Sequence, residues 1–327
     1  MQETAHTSIH VVVWNHRDAL GRFLASLERQ TCKEAQVIVL DNASSDGVQG
    51  WLQHSHPEVV ALRNFRDHGV ARAWNQSVAL ALSRESDEMS LDQRVFIFAE
   101  PDILFAPDAL QKIVDTFTAD PTLMIAGPCV QVGRVVADGD EERFEIEPTE
   151  VMESTGMSLT RGRRFVEKGK GTSEAFAVAR GCFVVRASAM KRLAVEGEWF
   201  DELVFPGQEV WDLCWRAHLL GMSVRMLPEA TVYRLPASSK RLTHEQRCAR
   251  FLRGPLCWKN DVLMNRLLRL PWIVCDRVWT ALYLLTHGRV CLAWLGTWRK
   301  RSAFKKKHAA LFAQTHVSSA EMRRWFV

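Results

Sequence analysis

Two pairs of carboxylates stand at spacings that can do chemistry. In "FAEPDILF" Glu100 and Asp102 flank a proline where an apolar run ends, and in "PGQEVWDLCWRA" Glu209 and Asp212 fall within one helical turn. A carboxylate at a strand end can hold a divalent cation against an anionic diphosphate. One on the first turn of a helix can act as a general base, and the helix dipole favours its charged form there. Asp212 has Arg216 four residues on, the spacing of a helix salt bridge, so Glu209 is the better base candidate. A third polar group, Asp41 and Asn42, closes "VIVLDN" ahead of "ASSDG". Asp41 can accept a hydrogen bond from a base N–H or a ribose hydroxyl, or it can serve only to open the turn.

The elements that must carry these groups follow from periodicity. "SIHVVV" reads as a strand, "RDALGRFLASLERQ" as a helix with Leu20, Phe23, Leu24 and Leu27 on one face, and "AQVIVLD" as a second buried strand. "VVALRNF" and "RVFIFAEPD" are further strands, with "GVARAWNQSVALALSRE" a helix between them. Alternation of this kind over the first 130 or so residues predicts an α/β fold with a mostly parallel sheet, whose ligand residues gather at the strands' carboxyl ends. Residues 131–178, acidic around "DGDEERFEIE" and basic around "RGRRFVEKGKGTS", read as long loops. "RGCFVVRASAMKRL" restores a strand and a helix start, and "SVRMLPEATVYR" is a last strand.

Composition sets the remaining bounds. With 327 residues, 47% of them hydrophobic, the chain can bury a substantial core. Its eight cysteines never fall at C-x-x-C spacing, so they read as buried thiols of a reducing compartment. The N-terminus lacks a basic segment followed by a long apolar one, and no uncharged apolar run is long enough to span a bilayer. The chain is therefore expected to stay in the cytoplasm. Charge is unevenly divided: residues 251 to 327 hold 14 Lys/Arg against 3 Asp/Glu, while the rest holds 28 against 35. Six of the twelve tryptophans lie in that basic tail, interleaved with Leu and Arg at helical spacing, as on a helix lying in an anionic membrane interface. Nucleic acid is the other anionic partner of basic residues, but aromatics beside leucine on helical faces favour the membrane.

Two nucleotide motifs are excluded. Gly162 stands too far from "GKGTS" for a P-loop, and "WNHRDALG" lacks the glycines of a dinucleotide fingerprint.

In order and spacing, "VVVWN", "VIVLDNASSDG", "RNFRDHGVARAWNQS", "EPDILFAPDAL", "ESTGMSLTRGRR", "RGCFVVRASAM", "FDELVF" and "DLCWRAHLLGMSVRMLPEATVY" resemble family 2 glycosyltransferases of the GT-A fold, rhamnosyltransferase-like branch. The resemblance covers nearly all of residues 8 to 235. It implies a GT-A Rossmann-like nucleotide-sugar-binding domain over 1–240, followed by a basic, Trp-rich helical region over 241–327 that associates with the membrane. It implies nucleotide-sugar contacts from Asn15, Asp41, Asn42, Gly69, Arg72, Asn75, Glu100 and Arg234, a Mg²⁺ or Mn²⁺ ion on Asp102, and catalysis from Glu209 and Asp212. The expected reaction is inverting transfer of a sugar, rhamnose by branch, from a dTDP or UDP donor to a hydroxyl of a lipid-linked or growing surface glycan at the inner face of the cell membrane. No nucleic acid is expected as a partner.

Three departures qualify this. Aligned on "DLCWRA", Val210 takes the family's usual base position, and sliding the match by one residue to seat Glu209 there would rotate the rest of the helix by about 100°. Arg234 stands where the family often has a metal-ligating histidine; a guanidinium cannot ligate a cation but can pair with phosphate oxygens, and His244 is the nearest substitute ligand. Glu100 replaces a commoner Asn or Asp. These departures leave an altered acceptor, metal-independent chemistry or a catalytically silent glycan-assembly partner as alternatives, and the basic tail leaves a nucleic-acid-binding α/β protein.

Overall fold

The computed structural model describes residues 6–84, 90–140, 143–168, 173–235 and 252–327. The expected alternation is present: β1 (His6–Val13), α1 (Arg17–Glu28), β2 (Ala35–Asp41), α2 (Val48–Ser55), β3 (Val60–Arg63), α3 (Val70–Arg84), β4 (Arg94–Ala99), β5 (Ile103–Phe105) and α4 (Ala109–Ala119). Then follow β6 (Ile125–Asp140), β7 (Arg143–Ser154), β8 (Met157–Leu159), β9 (Phe165–Glu167), β10 (Cys182–Arg186), α5 (Ala187–Leu193), α6 (Glu209–Leu219) and β11 (Val224–Arg234). The main sheet runs β3-β2-β1-β4-β10-β6-β11-β5, with β7 paired to β6. The first four strands are parallel, β10 is antiparallel to both of its neighbours, and β11 is parallel to β6.

Strand alternation sorts the core into two layers. On β4, Val95, Ile97 and Ala99 face α1 and α4, while Phe96 and Phe98 face α3 and α6. Trp74, Phe98, Phe183 and Phe200 form an aromatic knot on that second side, with Phe98 stacked on Phe183 at 4.9 Å and Trp74 5.0 Å from Phe200. The knot holds α3, β4, β10 and the loop before α6 in fixed register.

Residues 131–178, expected as loops, are largely β structure: β6 and β7 pair antiparallel, and β8 pairs with β9. Along β7 the alternation of apolar and acidic residues is confined to 144–147 and stops at Pro148, a run short for a strand signal in an acidic stretch.

The tail comprises helices Gly254–Asn260, Leu263–Leu268, Leu270–Thr286, Gly288–Arg299, Arg301–Phe312 and Ser319–Arg323. Leu256, Cys257, Phe304, Leu311, Met322 and Phe326 join the same hydrophobic cluster as Trp215 and Met226. Buried charge joins them further. Lys259 Nζ lies 2.5 Å from Asp201 Oδ2 and 2.6 Å from Asp212 Oδ1, with all three side chains almost fully buried. Lys307 pairs with Asp201 at 2.6 Å and Glu198 at 2.7 Å, and Arg163 pairs with Asp261 at 2.7 Å. Part of the tail's positive charge therefore answers acids of the sheet domain rather than an external surface. The boundary expected at residue 240, and His244, lie outside the described residues.

Replacing Lys259 by Ala takes one of its two cations from each of two buried carboxylates, Asp201 and Asp212. Denaturant unfolding should show a loss of about 3 kcal/mol or more, against less than about 1 kcal/mol for removing exposed Lys306 from its pair with Glu196.

Candidate functional site

The carboxyl ends of β1 and β2 form one wall. Asp41 is buried; its Oδ1 accepts the Ser44 amide at 2.8 Å, and its Oδ2 is buried without a hydrogen-bond partner, 3.5 Å from Arg63 Nε. An orphaned carboxylate oxygen at a strand end is a ready acceptor for an incoming N–H or hydroxyl. Asn15, with φ of 55°, accepts the Ser45 amide on Oδ1 at 2.7 Å and donates its own amide to Ser44 Oγ at 2.9 Å. It thereby latches the loop after β1 to the loop after β2.

Gly69 opens α3 at φ +79°, a conformation that strains any side chain, and donates its amide to Asp67 Oδ1 at 2.8 Å. Arg72 stands exposed on the first turn of α3.

Two of the expected nucleotide contacts are committed elsewhere. Asn42 Oδ1 accepts from Asn64 Nδ2 at 3.0 Å and from the His68 amide at 3.2 Å, while its Nδ2 donates to Asp67. Asn75 Oδ1 accepts the Phe200 amide at 2.8 Å and Nδ2 donates to the Phe200 carbonyl at 2.9 Å. Both residues hold loops in place; neither offers a free amide to a sugar.

The other wall is a group of charges where four strand ends converge. Pairing of Arg234 with Ile103 across β11 and β5 brings Arg234 beside Asp102, and the Glu100 amide donates to the Gly181 carbonyl just ahead of β10. Arg234 Nη1 lies 2.7 Å from Glu100 Oε2 and 3.1 Å from Asp102 Oδ2, and Nε lies 3.1 Å from Glu153 Oε1. Arg180 Nε completes the group, 3.0 Å from Glu100 Oε1. Burial raises the Glu100 carboxyl, but Arg180 and Arg234 outweigh it and hold the group below the usual carboxylate range. For Asp102 burial wins over Arg234, and its affinity for a proton rises.

Three of the four carboxylate oxygens of Glu100 and Asp102 face guanidinium nitrogens, leaving Asp102 Oδ1, which is buried and without a partner. Among the described residues, no three His, Cys, Asp or Glu side chains gather as a metal cluster. One free oxygen beside two fixed cations does not fit a divalent ion that asks for several oxygen ligands. Asp102, expected as the metal ligand, pairs here with Arg234 through Oδ2.

Glu209 begins α6, only 3% exposed, and its Oε2 accepts the Gly207 amide at 2.8 Å. Burial pushes its carboxyl up to about 7, against the pull of backbone hydrogen bonds and Arg180, with Glu100 near enough to add to the rise. Val210, at the family's base position, is fully buried in the apolar cluster. Asp212, expected beside Glu209 in catalysis, is corrected: its side chain is 0% exposed, with Oδ2 held by Arg216 at 2.8 Å and Oδ1 by Asn260 at 2.7 Å and Lys259 at 2.6 Å. A carboxylate saturated by two cations and an amide cannot take a substrate proton.

Sequence reasoning missed Arg180, Gly181 and Glu153. The triplet "RGC" was visible as a motif, and a positive residue beside an acidic strand end was its signal; Glu153 offered none, because β7 read as loop. A cleft of about 490 Å³ between Ser158, Lys168, Glu174 and Trp325 shares no residue with this group, so charge and strand topology mark the site rather than depth.

The family model described as glycosyl transferase family 2 matches residues 8–193. An N-acetylglucosaminyl-diphospho-decaprenol L-rhamnosyltransferase of Mycobacterium tuberculosis is 28% identical over 114 residues, which are 34% of this chain and 37% of that protein. The matched stretch thus spans little more than a third of that relative. The structure of GalNAc-T7 with UDP, GalNAc and Mn²⁺ superposes with a TM-score of 0.56 at 14% identity, covering 78% of this chain and 49% of that one. The mannosyltransferase PcManGT from Pyrobaculum calidifontis, in complex with GDP-Man and Mn²⁺, superposes at 0.52 with 15% identity, covering 95% and 87%. At these identities the superpositions establish the shared fold.

The raised Glu209 carboxyl has a stability consequence. With the folded value near 7 and the unfolded value near 4.5, the folded state binds more protons between them, so stability falls as pH rises through that window. Glu209→Gln should remove this slope and gain up to about 3 kcal/mol at pH 8, read by thermal or urea unfolding at pH 4.5 and pH 8.

Proposed function

The chain belongs to glycosyl transferase family 2, and on that premise we propose that it moves a sugar, rhamnose by its likeness, from a dTDP or UDP donor to a hydroxyl of a lipid-linked or growing surface glycan. The reading is carried by Glu209: a buried carboxyl ionising near pH 7, at the start of a helix, within electrostatic reach of the Glu100–Arg180 group. A base of that strength is matched to removing an acceptor proton at neutral pH as the hydroxyl attacks the anomeric carbon. Asp41, with its orphaned Oδ2, receives the base or ribose at the other wall, and the diphosphate lies toward Arg180 and Arg234 between them. Attack from the Glu209 side, opposite the leaving diphosphate, inverts the sugar.

The tail supports work at a membrane surface on the cytoplasmic face. Helix Leu270–Thr286 is inverted relative to an ordinary surface helix: it buries Asp276 and Thr280 and exposes Trp272, Val278, Trp279, Leu282 and Leu285. Asp276 is held inward by Arg253 at 2.8 Å and by Arg164. Leu263, Met264, Leu267, Leu268, Leu292, Leu295 and Trp298 extend the exposed apolar surface along the neighbouring helices. No helix among the described residues is long and apolar enough to cross a membrane, so a face lying in the interface fits the pattern. An acceptor anchored in lipid would then be presented to the Glu209 side.

Transfer from dTDP-rhamnose or a UDP-sugar to a polyprenyl-diphosphate-linked acceptor should rise with pH through about 7, and Glu209→Gln should lose about 10²-fold or more in kcat. Full activity in that variant would assign α6 a shaping role only. Trp279→Glu with Leu285→Glu should weaken cosedimentation with anionic phospholipid vesicles about tenfold or more while donor binding is unchanged. Preference for an oligonucleotide over vesicles at physiological salt would refute the membrane face.

A further inference from the structure

We infer that Arg234 and Arg180 take the place of a divalent cation, so that the donor's diphosphate is met by two fixed guanidiniums and its binding needs no added metal. This rests on the donor reading above. Arg234 sits between Glu100, Asp102 and Glu153, bound to each at 2.7–3.1 Å, and Arg180 reaches the remaining oxygen of Glu100 at 3.0 Å. Two guanidiniums carry the same double positive charge as one divalent ion at the same strand ends, set against the carboxylates of Glu100, Asp102 and Glu153.

A metal would have to displace Arg234 from Glu100 and Asp102 and then remain beside two cations, at a Coulombic cost that low dielectric enlarges. Arg234 is also built in by its surroundings. A Cβ added at Gly181 would lie 1.9 Å from Arg234 Nη2, so the absence of a side chain there is what lets the guanidinium lie across the end of β10. The contacts to Glu100, Asp102 and Glu153 use Nη1 and Nε. Nη2, the nitrogen over Gly181, belongs to a planar fork suited to phosphate oxygens, which a lysine ammonium does not reproduce. Arg180, 31% exposed and 3.0 Å from Glu100 Oε1, supplies the second guanidinium.

The test uses the full chain. Mn²⁺ titrated without nucleotide and followed by electron paramagnetic resonance should show no tightly bound ion in the wild type. Arg234→His, which releases Glu100 and Asp102 and adds an imidazole, should gain one. UDP and dTDP binding by calorimetry should agree within about threefold between EDTA and Mn²⁺ buffers, and Arg234→Gln should weaken it about tenfold in both. A wild-type chain that binds Mn²⁺ tightly and loses it in Asp102→Asn, or that binds nucleotide only with Mn²⁺ present, overturns the inference and leaves the donor reading standing. A chain that binds neither nucleotide in either buffer overturns the donor reading, and the inference with it.

Discussion

A carboxylate with no exposed surface sits in the first turn of α6, and two parts of the chain meet to neutralise it. Asp212 is held by Arg216 from its own helix and by Lys259 and Asn260 from the tail. An unpaired charge at that depth would cost several kcal/mol, so the tail cannot leave without taking the helix's stability with it. Lys259 also holds Asp201, in the loop that leads into α6, and Lys307 closes the same cluster from a second tail helix. The helix can neither slide nor rotate without breaking these bonds. Glu209, three residues earlier, inherits its position from them.

The sheet's carboxyl edge obeys the same rule with a different outcome. Glu100 and Asp102 are compensated by Arg234 and Arg180, while Asp201 and Asp212 are compensated by lysines and Arg216. Glu209 is the buried acid of this region whose described hydrogen bond comes from backbone alone, at Gly207. With no cation in contact, burial raises its carboxyl toward neutral pH. Asp102 also gains affinity for a proton, but it keeps Arg234 in contact, whereas Glu209 has only backbone beside it.

The tail carries two charge roles that its composition merges. Lys259, Lys306 and Lys307 face acids of the sheet domain, which accounts for part of the opposite charge balance of the two halves. The inverted helix Leu270–Thr286 turns Asp276 inward and its tryptophans outward. Amphipathic spacing marks two faces on a helix, but which face meets solvent depends on what the polar face is bound to. Here Arg253 and Arg164 draw the polar face inward.

The sequence by itself determined the α/β order, the strands that end in Asp41, Glu100 and Arg234, and the pairing of Asp212 with Arg216, since these rest on local periodicity, turn chemistry and helical spacing. It did not disclose the β6–β7 ladder, whose short alternating run ends at Pro148, nor the contacts of Glu153 and Arg180. Only the tertiary structure decided which charges meet. Arg234 reaches Glu100 across 134 residues and Lys259 reaches Asp201 across 58. Partnership of that kind depends on strand order and helix packing, so Asp102 as an ion-pair partner, Asn75 as a loop clasp and Asp212 as an anchor emerge only once the chain is folded.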